Sequence, residues 1–320
     1  MIVFGDPADV PAGFGPSVVV IGKFDGVHAG HRAVIERAMA DVKAMDAAAV
    51  AVTFDRNPLA VLHPERCPES LVSLEHKLAL LADTGLDAAL VLRFDEALAA
   101  LPPEQFVKTH LVDALHASRV LVGADFRFGH RGAGTVQTLL EQGAREGFTV
   151  EIVGDIREGE TRVSSTYIRT LLAEGAVREA AQLLGRTPAV WGTVVHGLKR
   201  GRELGYPTAN LGGVDGVVPG DGVYAGWLLV NGGEAGGDGI RYPAAISVGT
   251  NPTFGDVDAR QVEANVLSDA WLELYDRAVE VRFVERVRGM VAFDGVPALI
   301  EQMAADVDRV RELLAAEAAR

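Results

Sequence analysis

Residues 17–31 read SVVVIGKFDGVHAGH, an apolar run that passes directly into three glycines, an aspartate and two histidines three positions apart. The valines and isoleucine do not alternate with polar residues, so the run reads as a strand covered on both faces. The next stretch, HRAVIERAMADVKAM, repeats its apolar residues at helical spacing. The same succession continues to about residue 155 through AAAVAVTF, LEHKLALLADTG, DAALVLRF, a helical stretch in EQFVKTHLVDAL, SRVLVGADF, TVQTLLEQGAREG and FTVEIVGDI. Strands alternating with helices imply an α/β fold with a doubly wound, mostly parallel sheet. Its crossovers are right-handed, and its ligand site lies beyond the carboxyl ends of the strands.

After STYIRTLLAEGAVREAAQLLGR the texture changes. WGTVVHG, GVYAGWLLV, YPAAISVGT, RQVEANVL and RAVEVRFVERVR are strand-like, separated by Gly, Pro and Asp turns with no helix between them. That pattern predicts an antiparallel sheet or β-barrel, closed by a helix over VPALIEQMAADVDRVRELLAAEA. The change of period sets a domain boundary near residues 185–188, giving domains 1–186 and 187–320. The two halves differ in periodicity, so no internal repeat is evident.

At 320 residues and 48% hydrophobic composition, the chain suits two cores better than one. Thirty basic against forty-four acidic residues give a net charge of −14. Such a field repels nucleic acid and the anionic face of a membrane, and a small anionic substrate then needs its own local cations. Cys67 is the single cysteine, which excludes an internal disulfide or a cysteine-built zinc site and fits a reducing compartment. MIVFGDPADVPAG has no basic region before a long apolar stretch, and no run approaches the roughly 20 apolar residues of a membrane helix. The expectation is a cytoplasmic, soluble protein.

His28 and His31 come directly after the first of these strands and precede a helix expected to begin around Gly30 or His31. Residues three apart share a helix face, so both imidazoles can face one ligand at a helix N-terminus, where free N–H groups and the macrodipole favour an anion. Gly22, Gly26 and Gly30 allow backbone to approach phosphate oxygens. There is no P-loop lysine and no serine or cysteine beside a base, so a covalent intermediate is not indicated. Donors without a nucleophile suit charge stabilisation on a phosphorus attacked by a second substrate. By itself an HxxH pair also reads as a turn cap. Ser164, Ser165 and Thr166 stand before another predicted helix with Arg169 one turn in, either as a capping cluster or as a second phosphate site with a chelating guanidinium.

The chain's motifs resemble a known family. GKFDGVHAGH resembles the signature of the HxGH nucleotidyltransferases, in the FDGVH form of their flavin-adenylylating branch. VSSTYIR at 163–169 resembles that branch's SSTxIR motif, and VGADFRFG at 122–129 its G-x-(N/D)-F-x-FG segment. The resemblance implies catalytic roles for His28 and His31, and ATP or phosphate contacts from Gly22, Phe24, Asp25, Gly30, Ser164, Ser165, Thr166 and Arg169. It also implies a place for Asp125 near nucleotide or flavin. Where the family usually has FDPHP this chain has FDRNP; Asn57 can donate a hydrogen bond but carries no charge.

In the second half, WGTVVHGLKRGRELGYPTANL at 191–211 combines glycines, among them Gly197 and Gly201, with a basic island of Lys199, Arg200 and Arg202. PTAN resembles the nucleotide and magnesium motif of riboflavin kinases. By that resemblance Thr208 and Asn210 reach Mg2+ and phosphates, with Gly197, Lys199 and Gly201 beside ATP; both side chains are hard oxygen donors of the kind magnesium takes. Pro207 is read as fixing a turn there. GVYAGW, AAISVGTNPTFG and VEANVL come next in the family's order. The resemblance makes Glu263 the general base for a primary hydroxyl, and Asn265 stands where the family usually has His or Tyr. Tyr224 is placed at flavin, while Phe24, Phe126, Phe128 and Phe254 either stack on isoalloxazine or fill core.

Taken together, the chain resembles the bacterial bifunctional riboflavin kinase and FAD synthetase family. The resemblance implies that the C-terminal domain phosphorylates riboflavin with ATP and Mg2+ to give FMN. The N-terminal domain would then adenylylate FMN with a second ATP, giving FAD and pyrophosphate. Two other readings remain: an adenylyltransferase for another small phosphate ester, against which PTAN speaks, and a flavin-binding carrier or sensor, against which HxGH and Glu263 speak.

Overall fold

The valine-rich run of the N-terminal half forms the middle of a six-stranded sheet. Its strands are β1 (Ile2–Phe4), β2 (Ser17–Ile21), β3 (Ala48–Phe54), β4 (Ala88–Leu92), β5 (Ala117–Gly123) and β6 (Thr149–Val153), in the spatial order β1-β4-β3-β2-β5-β6. Every pairing is parallel. From β2 the chain winds through β3 and β4 to one side and later through β5 and β6 to the other. The segment after Ile21 therefore lies at the topological switch point.

The computed structural model describes residues 1–159, 161–197, 206–230, 240–249, 261–268 and 272–319. It divides into two compact units, Met1–Ser164 and Ser165–Arg320. In the first, the helices are α1 (Ala29–Met45), α2 (Leu59–Leu62), α3 (Leu74–Ala82), α4 (Glu96–Ala99), α5 (Pro103–Phe106) and α6 (Val136–Glu146), with a π-helical stretch at Val107–Ala114. β2 and β4 are buried at every position. Alternate residues feed two cores: Val19, Ile21, Val50 and Val52 pack with Phe106, Leu111 and Leu139, whereas Val18, Val20, Ala49 and Ala51 pack with Ile35, Ala38 and Leu81. A short hairpin of β7 (Arg157–Glu158) and β8 (Thr161–Arg162) completes the unit.

The second unit holds α7 (Ser165–Glu174), α8 (Val177–Leu184), the barrel strands β9 (Ala189–Val195), β10 (Thr208–Asp215), β11 (Gly222–Val230), β12 (Ile240–Gly249), β13 (Gln261–Val266) and β14 (Ala278–Arg288), and the terminal α9 (Val296–Ala318). The strands close a barrel in the order β10-β13-β12-β11-β14-β9, with every pairing antiparallel. β10, which begins at Thr208 directly after Pro207, is a strand that the sequence pattern did not announce. Its sequence, TANLGGVD, has little strand propensity of its own, and pairing to β9 and β13 creates it.

Helices α7 and α8, read from the sequence as the end of the first domain, pack with the barrel. Ile168, Leu171, Leu172, Val177, Leu183 and Leu184 are buried. Arg286 of β14 donates to the Glu174 carbonyl at 3.0 Å and the Asp221 carbonyl at 2.6 Å, and Gly220 N–H bonds the Leu172 carbonyl at 2.7 Å. The compact units thus divide at 164/165, because compactness is set by where these two helices bury their apolar faces.

Candidate active sites

In the first unit the loop after β2 carries two non-glycine residues in the left-handed region, Phe24 at φ 49° and Val27 at φ 39°. Such backbone costs on the order of 1–3 kcal/mol per residue. Both side chains are buried in the core with Ile35 and Leu81, which holds the conformation. Helix α1 starts at Ala29, one residue earlier than expected, and His28 is its N-cap: the His28 Nδ1 accepts the His31 N–H at 3.3 Å. That bond needs the Nδ1 lone pair, so neutral His28 carries its proton on Nε2.

The His31 ring stacks on His28 with centroids 3.6 Å apart and 13° between planes, and Phe24 presses edge-on against His31 at 5.2 Å. A Cβ at Gly30 would lie 3.2 Å from the His28 ring, so a side chain at that position would press on the imidazole and shift it by a few tenths of an ångström. The structure thus brings Gly22, Phe24, His28, Gly30 and His31 together. Phe24, expected at ATP, is 2% exposed and packs in the core beside Val27 and Ile35.

Asp25, expected at phosphate, accepts the Leu71 N–H at 2.8 Å and so ties the loop to the chain before α3. Asn57 accepts the Leu59 N–H at 3.1 Å and opens α2. Asp125 is exposed and pairs with Arg162 at 2.8 Å, a guanidinium that also reaches Asp155 at 3.1 Å. Phe126 and Phe128 stack on each other at 5.3 Å. In the second unit Ser165, Thr166 and Arg169 stand on the first turns of α7, directly after Ser164.

Two residues escaped the sequence reading. Thr53 is fully buried at the end of β3, and its hydroxyl donates to the Lys23 carbonyl at 3.2 Å. Lys77 of α3, only 8% exposed, donates from Nζ to the Phe54 carbonyl at 2.6 Å and to the Thr53 hydroxyl at 3.4 Å. Burial pulls the Lys77 ammonium down to about 8, against the opposing pull of Asp25 and Asp55. The signal in the sequence was a lysine within the stripe Leu74, Lys77, Leu78 and Leu81, whose spacing marks one helix face.

In the barrel, register sets Thr208 opposite Asn265 and Asn210 opposite Glu263. Ala209 and Ala264 point into the core, so the four polar side chains share the other face. The Thr208 hydroxyl donates to the Glu263 Oε2 at 3.2 Å, and the Asn210 amide donates to the Thr208 hydroxyl at 3.3 Å. Burial raises the Glu263 carboxyl above the usual range, opposed by the Thr208 hydrogen bond. Asn265 donates to the Pro207 carbonyl at 2.8 Å and so braces the PTAN segment. A Cβ at Gly197 would come within 2.6 Å of the Asn210 amide, which accounts for glycine there.

Tyr224, expected at flavin, lies in the barrel core. It is wholly buried, its hydroxyl bonds the Gly220 carbonyl and its ring packs edge-on against Phe283. Lys199, Arg200, Gly201, Arg202 and Phe254 lie outside the described residues.

Two family models match the chain, FAD synthetase over residues 12–167 and riboflavin kinase over residues 184–314. The chain is 37% identical to a bifunctional riboflavin kinase/FMN adenylyltransferase of Listeria monocytogenes, covering 93% of this chain and 92% of that one. It is 35% identical to an Escherichia coli protein of the same description, covering 92% of each. A crystal structure described as a macrolide-efflux protein from Streptococcus pneumoniae superposes with a TM-score of 0.85 at 31% identity, covering 97% of this chain and 98% of that one.

Proposed function

This chain belongs to the bifunctional riboflavin kinase/FMN adenylyltransferase family, and from that premise we propose which side chains serve each of its two reactions. The observation that carries the assignment is where the two clusters fall. The stacked histidines lie in the stretch matched by the FAD synthetase model, and Thr208, Asn210 and Glu263 lie in the stretch matched by the riboflavin kinase model.

In the kinase reaction, ionised Glu263 takes the proton from the primary hydroxyl of riboflavin as that oxygen attacks the γ-phosphorus of ATP. Its hydrogen bond from Thr208 orients the carboxylate, and its raised pKa makes it a stronger proton acceptor once ionised. Among the described residues no three of His, Cys, Asp and Glu gather as a metal cluster. The oxygens of Thr208 and Asn210 fit an ion that arrives with nucleotide and keeps water and phosphate ligands. Magnesium bound there with ATP would neutralise charge on the transferring phosphates. Asn265 and Gly197 hold these donors in position.

In the adenylylation, the FMN phosphate attacks the α-phosphorus of a second ATP and pyrophosphate leaves. His28 and His31, at the positive end of the α1 dipole, stabilise charge developing on the α-phosphate. The SSTxIR resemblance supports Ser164, Ser165, Thr166 and Arg169 as phosphate contacts. Both reactions are positioning plus charge stabilisation. ATP as the donor in both supports a cytoplasmic setting, and the charge of −14 supports small-molecule rather than nucleic-acid partners. The efflux description belongs to the Streptococcus pneumoniae protein. Both family models name flavin chemistry, and no helix among the described residues is long and apolar enough to cross a membrane.

The test is a chromatographic time course of the purified protein with riboflavin, ATP and Mg2+. FMN is expected first, with FAD appearing later. The double variant His28→Ala, His31→Ala is expected to stop FAD formation while FMN formation stays within about two-fold. FAD formation unchanged in that variant would remove the histidines from the reaction. Neither product from the wild type would point to a flavin carrier.

A further inference from the structure

A buried ammonium lies against the backbone that leads into the histidine loop. Lys77 reaches from α3 to the Phe54 carbonyl at the last residue of β3, and to Thr53, whose own hydroxyl is given to the Lys23 carbonyl in the segment before His28. One amine thereby joins the end of β3 to the β2–α1 loop. Two carboxylates act on it. Asp25, from that loop, is fixed by the Leu71 N–H. Asp55, directly after β3, accepts the Phe94 N–H at 2.8 Å and pairs with Arg56 at 2.8 Å. On α3 itself the neighbouring titratable side chains are exposed Glu75 and His76, whose ring Nδ1 lies 2.9 Å from the Ser73 hydroxyl.

A leucine or methionine at position 77 would complete the apolar stripe of α3 without desolvating a charge, and buried ions are seldom the most stabilising choice. The lysine is accounted for by what its charge does at this place. We propose that Lys77 is a positioning residue for adenylyl transfer. As an ammonium it fixes the loop from which His28 and His31 project and offsets Asp25 and Asp55, so that anionic phosphates can approach. The inference rests on reading the first unit as the adenylylation site.

Burial lowers the Lys77 pKa to about 8, so the proton is lost within the range an enzyme assay can scan. The experiment compares FAD formation from FMN and ATP between pH 6.5 and 10 for the full-length wild type, Lys77→Met and Asp55→Asn, with FMN formation from riboflavin measured in the same preparations. The wild-type kcat for FAD is expected to fall at least about five-fold from pH 7 to pH 9.5. Lys77→Met is expected at about a tenth of the wild-type kcat or less across the range, without that limb, with the KM for ATP changed less than about three-fold and FMN formation unchanged. Asp55→Asn removes a charge that favours the ammonium, so its limb moves to lower pH.

A Lys77→Met enzyme that keeps the alkaline limb overturns the inference, as does an Asp55→Asn enzyme whose limb stays in place. The second variant decides alone if the first does not fold. A wild type that makes FMN but no FAD removes the adenylylation site assigned to the first unit and the inference together. A wild type that makes FAD with the limb unmoved by either substitution removes only the inference.

Discussion

The Glu263 carboxyl combines two demands, since the barrel face that surrounds it favours the neutral acid while the proposed kinase chemistry needs the anion. A carboxyl that binds its proton more tightly folded than unfolded costs stability as pH rises through its raised pKa, and that stability returns as pH falls. Glu263→Gln is therefore expected to stop riboflavin phosphorylation yet to melt no lower than wild type at pH 8, with any advantage shrinking toward pH 4. Melting temperatures across a pH series check this, and a clearly lower melting temperature for the variant at pH 8 would contradict it. The role proposed for Glu263 rests on its surrounding motif, because the carboxylate itself is an unremarked strand residue. The histidine pair drew notice by its spacing, but its reading as a phosphate site rested on the surrounding motif. Its stacking, its cap and the proton on Nε2 were not legible, since they depend on where the backbone of Phe24 and Val27 turns.

Helix α9 shows how one buried ion pair attaches a whole element. Asp306, 5% exposed, accepts both arms of the Arg288 guanidinium at 2.7 and 2.9 Å and the Gln302 amide at 2.9 Å. This fork fixes the helix to the last strand of the barrel. Asp306→Ala leaves the guanidinium half-buried beside a void and is expected to destabilise the second unit by about 3 kcal/mol. Urea unfolding tracked by tryptophan fluorescence would measure it, and a change below about 0.5 kcal/mol would show that the pair is solvent-compensated. The helix itself was legible from its apolar spacing. Its anchor was not, because an aspartate in a helical pattern gives no sign of a partner on a strand. Strand β10 was missed for the converse reason, since its pairing partners supply what TANLGGVD lacks.

At the scale of the molecule, the division of the chain makes a further prediction. A fragment of residues 1–186 would carry α7 and α8, in which Ile168, Leu171, Leu172, Val177, Leu183 and Leu184 are buried, without the barrel that belongs to their compact unit. It is expected to bind a hydrophobic dye several-fold more strongly per mole than the full chain and to associate on a sizing column. A monodisperse fragment silent to the dye would mean that these faces find other cover. The α/β and barrel halves, the parallel sheet and the place of the histidine loop were legible in advance, because hydrophobic period and strand order are properties of the chain read along its length. Other features came only from packing: the unit to which α7 and α8 belong, the burial of Tyr224, the cluster of Thr208, Asn210 and Glu263, and the lysine beside the carbonyl of Phe54. Each depends on residues distant in sequence meeting in space, and a one-dimensional pattern carries no record of which of them will meet.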